Sequence, residues 1–495
     1  LRIWAKQTKQ GEQAMLESNL LRQSAGYVAN RWTFAKSGGT IPVHDPATGE
    51  HLADVPNMGE AETIEAVEAA EKALARPASI EQRRHWLSEI HRLLMENKKE
   101  MARIITREQG KPLKESEVEV EYSAGFFRYF ATQLHHLEPE VLPEPIRNLR
   151  WTVHKRPAGV VGLITPWNFP LAMLGKKLAP ALGAGCGIVV KPPAPTPLTS
   201  VALWHLLEKL DLPTGLVNLV IGRPRPISKV LCSHPAVRLI SFTGSTEVGK
   251  ELMAQVAPYV KRLALELGGN APFIVMDDAD VDLAADALMM NKFRCAGQTC
   301  VCANRVYVQR GIEKAFLAAI SERVSRLRVG NGSDPQTDVG PLINRAAFEK
   351  VDEHVQDALK LGAKTIVGGD PKPVNDDWGA FYPPTVLANA NAEMMVSRDE
   401  TFGPILAIQT FDSESEVVAK ANSTQYGLAA YLFTGNRQRA DDIIRQLHFG
   451  HVGLNTGTGP APEAPFGGMK ESGFGREGGV EGLIEFTECQ AVAGT

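Results

Sequence analysis

The chain is 495 residues long, 44% hydrophobic and 22% charged, with a formal net charge of −4. That length can bury more than one core, and the composition is globular rather than disordered or fibrous. The balance gives no electrostatic grip on nucleic acid or an anionic membrane, and no apolar run reaches the ~18 residues of a membrane span.

Residues 1–17 read as a disordered N-terminal extension without an apolar signal core. Met15 is an alternative start, and Arg2, Lys6 and Lys9 leave a transit remnant open. Residues 58–110 read as helices, with Ile64, Val67 and Leu74 on one helical face and Trp86, Ile90 and Leu93 on another. From residue 158, β-branched runs at 160–164, 188–190, 216–221 and 239–242 alternate with amphipathic segments. That spacing predicts an open parallel sheet with helices on both faces. A second series starts at Ala271, with strands expected at 271–276, 365–367, 405–411 and 428–433 and helices at 314–327 and 346–361. A domain boundary is placed just after Glu266, with Gly268-Gly269 as hinge. The Pro- and Glu-rich stretch 138–146 interrupts the first domain. The strand expected at 149–155 leaves the main body; with 484–492 it serves either an intersubunit sheet or a plain edge. Six cysteines in so long a chain do not make a disulfide scaffold; they fit a reducing compartment, and a cytoplasmic protein is expected.

The chemistry concentrates in Phe293-Arg294-Cys295-Ala296-Gly297-Gln298-Thr299-Cys300-Val301-Cys302. A thiol in a small-residue turn can attack a carbonyl, and Gly297-Gln298-Thr299 is a turn that can expose a backbone N–H beside the Cys300 sulfur. Asn168 is a candidate second donor to the oxyanion, and one such donor is typically worth ~3 kcal/mol. Cys295, Cys300 and Cys302 also spell C-x4-C-x-C, but no further cluster with ligand spacing follows, so no metal is expected. A buried inert thiol is the plain alternative. Glu266 closes the apolar run Leu263-Ala264-Leu265, where burial raises a carboxyl pKa into the range of a general base; a salt-bridged structural Glu is the alternative.

Two segments look like ligand loops at the carboxyl ends of strands, Leu163-Ile164-Thr165-Pro166-Trp167-Asn168-Phe169-Pro170 and Ser241-Phe242-Thr243-Gly244-Ser245-Thr246-Glu247-Val248-Gly249. In the second, amides opening a helix suit a pyrophosphate, although strand-glycine-helix turns are common. Lys191 ends a strand and could meet ribose or phosphate, or simply solvent. Glu400-Thr401-Phe402-Gly403-Pro404 could hold a ribose and pack on a flat ring, and Phe466 sits in a loop that could face a pocket. Both also have ordinary turn and core readings.

Together these segments resemble the aldehyde dehydrogenase superfamily. The blocks that carry the likeness are TPWNFP, VVKPPAPTP, SFTGSTEVGK, LELGGNAPF, FRCAGQTC, ETFGP and PFGGMKESGFGRE, and it spans the chain from about residue 18. LELGGNAPFIV, AGQTCVCANRVYVQ and GMKESGFGREGG are most similar to succinate-semialdehyde dehydrogenases. The resemblance implies an α/β protein of two Rossmann-like open parallel-sheet domains plus a small β oligomerisation element. The dinucleotide-binding domain is expected at 18–135 and 156–265, the catalytic domain at 266–465, and the oligomerisation element of a homodimer or homotetramer at 136–155 and 480–495. It implies NAD(P)-dependent oxidation of an aldehyde to the acid through a thioester on Cys300, with Glu266 as base and Asn168 as oxyanion donor. The cofactor is expected at Ile164, Thr165, Pro166, Trp167, Lys191, Ala194, Arg225, Gly244, Ser245, Leu267, Glu400 and Phe402. A CoA-acylating enzyme and a non-catalytic binding protein are the rivals; Glu266 favours water as acceptor.

Three positions depart from the family pattern. Ala194 stands where many NAD-preferring members carry a ribose-binding Glu, and Arg223 and Arg225 lie in the loop after 216–221. A 2′-phosphate is therefore less opposed, which favours NADP slightly over NAD. Lys176 stands where the semialdehyde enzymes often have a second arginine, while Arg294 matches their first; lysine lacks the bidentate fork. With Phe466 these are the expected substrate contacts, for an anionic aldehyde such as succinate semialdehyde. The family's substrate serine is not evident at 458–462. Finally, some relatives join the residue at Cys302 to the nucleophile in a reversible disulfide, a bridge that demands a strained loop.

Overall fold

Strands Val160–Ile164 and Gly187–Lys191 are buried at every position, as strands covered on both faces must be. They lie mid-sheet in the computed structural model, which describes residues 18–143, 149–372 and 378–494. The 1–17 extension and part of the 138–146 stretch fall outside the described residues. The sheet runs in the order Gly473–Phe474, Arg262–Glu266, Val237–Thr243, Val160–Ile164, Gly187–Lys191, Val217–Leu219, Gly26–Val28 and Arg31–Thr33. From Arg262–Glu266 to Val217–Leu219 the strands are parallel, and antiparallel strands are added at both edges.

Val161 and Leu163 face a core built with helices Ile80–Glu96, Lys98–Gln109, Leu113–Gln133, Ala172–Ala184 and Leu198–Leu207. Val160 and Ile164 face the opposite core, under Glu60–Ala73, Pro224–Ser233 and Thr246–Val256. The helical face expected of Ile64, Val67 and Leu74 is kept in part. Val67 is buried as expected and Leu74 packs against the core, but Ile64 is 37% exposed, and Glu62, Thr63, Ala66, Ala70 and Ala73 complete the buried face. Small residues let the helix lie close on the sheet: a Cβ on Gly187 would stand 2.7 Å from the Ala70 carbonyl oxygen. Trp86, Ile90 and Leu93 are buried as expected, on a helix opened by a Ser79–Gln82 capping box.

The chain leaves the first sheet after Glu266 and enters the second at Ala271. The second sheet has the order Lys364–Val367, Thr385–Ala388, Ile405–Phe411, Ala303–Gln309, Ala271–Val275, Ala429–Phe433 and His451–Leu454. It is parallel except at the Lys364–Val367 edge. A third, largely exposed sheet joins Arg150–Pro157 antiparallel to Thr487–Gly494, with Glu140–Val141 on its other side. Among the described residues no helix is long and apolar enough to cross a membrane.

Candidate active site

Glu266 ends its strand and Thr243 ends the neighbouring one, at the carboxyl edge where open α/β sheets bind ligands. The second sheet supplies the loops that meet them: Cys300 precedes Ala303–Gln309, and Glu400–Phe402 precedes Ile405–Phe411. The approach is close. A Cβ on Gly269 would lie 2.3 Å from the Cys300 carbonyl oxygen, so the crossover needs glycine there.

The loop that carries Cys300 is wound in an uncommon way. Cys295, Ala296 and Gly297 have φ of 52°, 53° and 72°, three left-handed residues in a row. Distant groups hold them. Glu115 Oε2 accepts from the Cys295 N–H at 2.7 Å, Gln109 Nε2 donates to Cys295 Sγ at 3.2 Å, and Gln298 Oε1 accepts from the Ile343 N–H at 2.9 Å. On the far side, Tyr431 donates to the Val301 carbonyl at 2.7 Å and Asn291 Oδ1 accepts from the Ala303 N–H at 2.6 Å. Asn168 Nδ2 donates to the Gln298 carbonyl at 2.8 Å, which leaves its second amide hydrogen for the cavity.

Cys300 stands where two cavities meet. One, of about 530 Å³, is lined mainly by apolar side chains including Val118, Tyr122, Phe169, Met173, Val301 and Phe466, with Glu266, Lys176 and Arg294 among them. The other, of about 250 Å³, is lined by Pro166, Trp167, Gly244, Ser245, Leu267, Glu400 and Phe402. Cys300, Asn168 and Thr243 line both.

Electrostatics separate the roles. Burial, then Glu400, pushes the Cys300 thiol up to about 12, against Lys176. The resting sulfur is therefore protonated and needs a base. Glu266 is 5% exposed, its Oε2 has no partner, and burial with Glu477 nearby holds its carboxyl well above the usual range. Burial works against the Glu477 charge too, but Lys177 and Lys176, at 2.6 Å and 3.3 Å, overcome it and keep this carboxyl below its usual value. Two neighbouring carboxyls are thus driven apart, one towards the neutral form and one ionised. Burial raises Glu400 to about 7, although it accepts the Gly269 N–H at 3.0 Å.

The family model for the aldehyde dehydrogenase family matches residues 32–492. The chain belongs to the aldehyde dehydrogenase family. It is 44% identical to a glutarate-semialdehyde dehydrogenase of Pseudomonas aeruginosa, over 96% of this chain and 98% of that one. It is equally identical, with the same coverage, to an NADP(+) succinate-semialdehyde dehydrogenase of Escherichia coli. An oxidoreductase of Marinobacter aquaeolei has the same fold at a TM-score of 0.95 and 51% identity, covering 97% of this chain and all of the other.

Within this family frame, most residues singled out from the sequence converge on the two cavities. Trp167 and Phe402 meet edge-on, 5.7 Å between centroids, and Phe402 holds a φ of 55°. Ser245 caps helix Thr246–Val256. Lys191 is buried but lines neither cavity; its Nζ donates to the Pro192 carbonyl at 2.8 Å, and burial lowers it to about 8. The Thr165 N–H donates to the Lys191 carbonyl at 3.3 Å, which ties the Ile164–Thr165 turn to that strand end. Ala194 is half-buried, while Arg225 is exposed at the start of helix Pro224–Ser233. Phe466 lies 4.3 Å from Lys176 Nζ. Lys176 shares Glu477 with Lys177, so its charge is partly answered. Arg294 makes no ion pair among the described residues; its Nε is buried without a partner, over the Phe169 ring. Cys302 lines neither cavity. Among the described residues no His, Cys, Asp and Glu cluster could hold a metal ion.

Sequence reasoning passed over Glu477, Lys177, Tyr122 and the Lys111–Glu119 pair. Glu477 lay inside a quoted block, PFGGMKESGFGRE. Lys111 and Glu119 stand on an ordinary-looking charged stretch, with no local signal that they reach Asn168.

Proposed function

We propose that this protein oxidises an anionic semialdehyde to the acid, with NADP or NAD as acceptor and water as the final nucleophile. The observation that carries the reading is the placing of Cys300 where two cavities meet, with the unpartnered Glu266 carboxyl on the wall of the larger one. Cys300 gives up its proton to water in the cavity and attacks the aldehyde carbon. The Asn168 amide and a backbone N–H of the loop hold the oxyanion. Glu266 then takes a proton from the water that releases the acyl group.

The residues fit a dinucleotide. Trp167, Ser245 and Phe402 wall a cleft, Glu400 sits in it, and the buried Lys191 amine has no anion of its own. When bound there, the nicotinamide supplies the hydride acceptor. Ala194 brings no carboxylate against a 2′-phosphate and Arg225 makes no ion pair among the described residues; both support the lean to NADP. The Escherichia coli relative named for NADP(+) points the same way.

On the substrate side, Arg294 is the better anchor for a remote carboxylate, with Lys176 second. The apolar walls between them suit a short carbon chain, and the relatives named for succinate and glutarate semialdehydes agree. We assign the first sheet to cofactor binding, the second to catalysis, and the exposed third sheet to pairing of copies into a dimer or tetramer. Six free thiols fit a reducing, cytoplasmic setting.

The test is a matrix of semialdehydes of increasing length against NAD and NADP, read as reduced nicotinamide, with and without CoA. Acid as product, with CoA leaving rate and product unchanged, is the expected result. An acyl-CoA product, or no turnover with any anionic aldehyde, overturns the reading.

A further inference from the structure

Lys292 ends the helix Val281–Lys292 and is 0% exposed; its Nζ donates to Cys302 Sγ at 3.6 Å. Among the described residues it makes no ion pair. A fully buried lysine without a carboxylate beside it is uncommon, so the sulfur is an unusual partner to leave it with. Cys302 is buried as well and turns away from both cavities, its thiol donating to the Gly297 carbonyl at 3.4 Å. The Cys302 thiol therefore faces an amine rather than substrate.

We propose that Lys292 and Cys302 form an oxidative cross-linking site, in which one oxygen atom bridges Nζ and Sγ as an N–O–S link. The oxidant is hydrogen peroxide. In the first step its O–O bond breaks, sulfur gives up two electrons, and Cys302 becomes a sulfenic acid with release of one water. In the second, the sulfenic O–H and one N–H bond break and an O–N bond forms. A second peroxide takes the two electrons and both protons and leaves as two waters. Overall, Cys–SH, Lys–NH2 and two H2O2 give Cys–S–O–NH–Lys and three H2O. The link ties the base of the loop to a helix end and shifts the backbone that carries Cys300. Turnover is lost until a dithiol cleaves the S–O bond. A Cys300–Cys302 disulfide is the competing product, and it must close across a single intervening residue.

The readout is mass and does not depend on the dehydrogenase reading. Whole protein is treated with hydrogen peroxide, digested without reductant and sequenced by mass spectrometry. The expected species joins Lys292 to Cys302 with one oxygen gained and two hydrogens lost. It disappears after dithiothreitol and is missing from Lys292→Met and Cys302→Ala, whose folding is checked by circular dichroism. The wild-type digest decides even if a variant misfolds. A wild type in which Lys292 stays unmodified overturns the proposal, whether Cys302 is then found in a disulfide with Cys300, as a sulfinic acid, or as a free thiol.

Discussion

Lys111 Nζ lies 2.6 Å from the backbone carbonyl of Asn168. The same ammonium is 2.6 Å from Glu119 Oε2, and Glu119 Oε1 accepts the N–H groups of Leu171 and Ala172 at 2.9 Å and 3.1 Å. Both charged side chains are fully buried. One ion pair thus holds both ends of the turn that presents Asn168.

Breaking that pair from one side leaves a buried charge alone. Lys111→Met should cost about 3–5 kcal/mol in urea unfolding, and Lys111→Met with Glu119→Gln should recover much of it. Turnover should fall by about 100-fold in both, because Asn168 loses its positioning either way. A double variant with restored stability and wild-type kcat would show that the pair serves the fold alone.

Only ionised Glu266 can take a proton, and its carboxyl sits well above the usual range because of burial and Glu477. Thioester hydrolysis should therefore be slow in acid and rise along a limb displaced to alkaline pH. Glu266→Gln should erase the limb and cut steady turnover by about 10²–10⁴-fold. A first-turnover burst of reduced nicotinamide should survive, and stopped-flow absorbance would show it. The sign for stability is opposite. A carboxyl raised in the fold contributes fully below its unfolded pKa, and the contribution is lost as pH rises through the folded value.

Arg294→Leu should raise KM for a semialdehyde by about 10–100-fold, the worth of a charge-assisted hydrogen bond. KM for an uncharged aldehyde of the same length should barely move. Steady-state kinetics on the matched pair separates lost anion recognition from general damage to the cavity.

Ala194→Glu places a carboxylate where the sequence suggests the 2′-phosphate comes. The ratio of kcat/KM for NADP over NAD should fall by about tenfold or more. An unchanged ratio would remove Ala194 from the cofactor preference.

The groups proposed to do the chemistry were legible because each sits in a locally distinctive setting. Cys300 follows a glycine turn, Glu266 closes an apolar run, and Asn168 lies between Trp167 and a Phe-Pro pair. The parallel sheets were legible from fully apolar runs such as 160–164 and 405–411. What supports the site was not. Gln109 and Glu115 reach Cys295 across 186 and 180 residues of chain, and nothing in a charged helical stretch announces such a partner. Ile64 was misplaced for a different reason. A helix lying flat on a sheet buries its alanines, so a stripe counted on large side chains caught Val67 and Leu74 but took in Ile64 at its exposed margin.

The thiol and the carboxyl proposed to cooperate ride on different sheets, joined by four residues of chain between Glu266 and Ala271. Any breathing of the molecule that parts the two halves to let product escape also parts nucleophile from base. On the proposed roles, the site is armed only while the two sheets stay together.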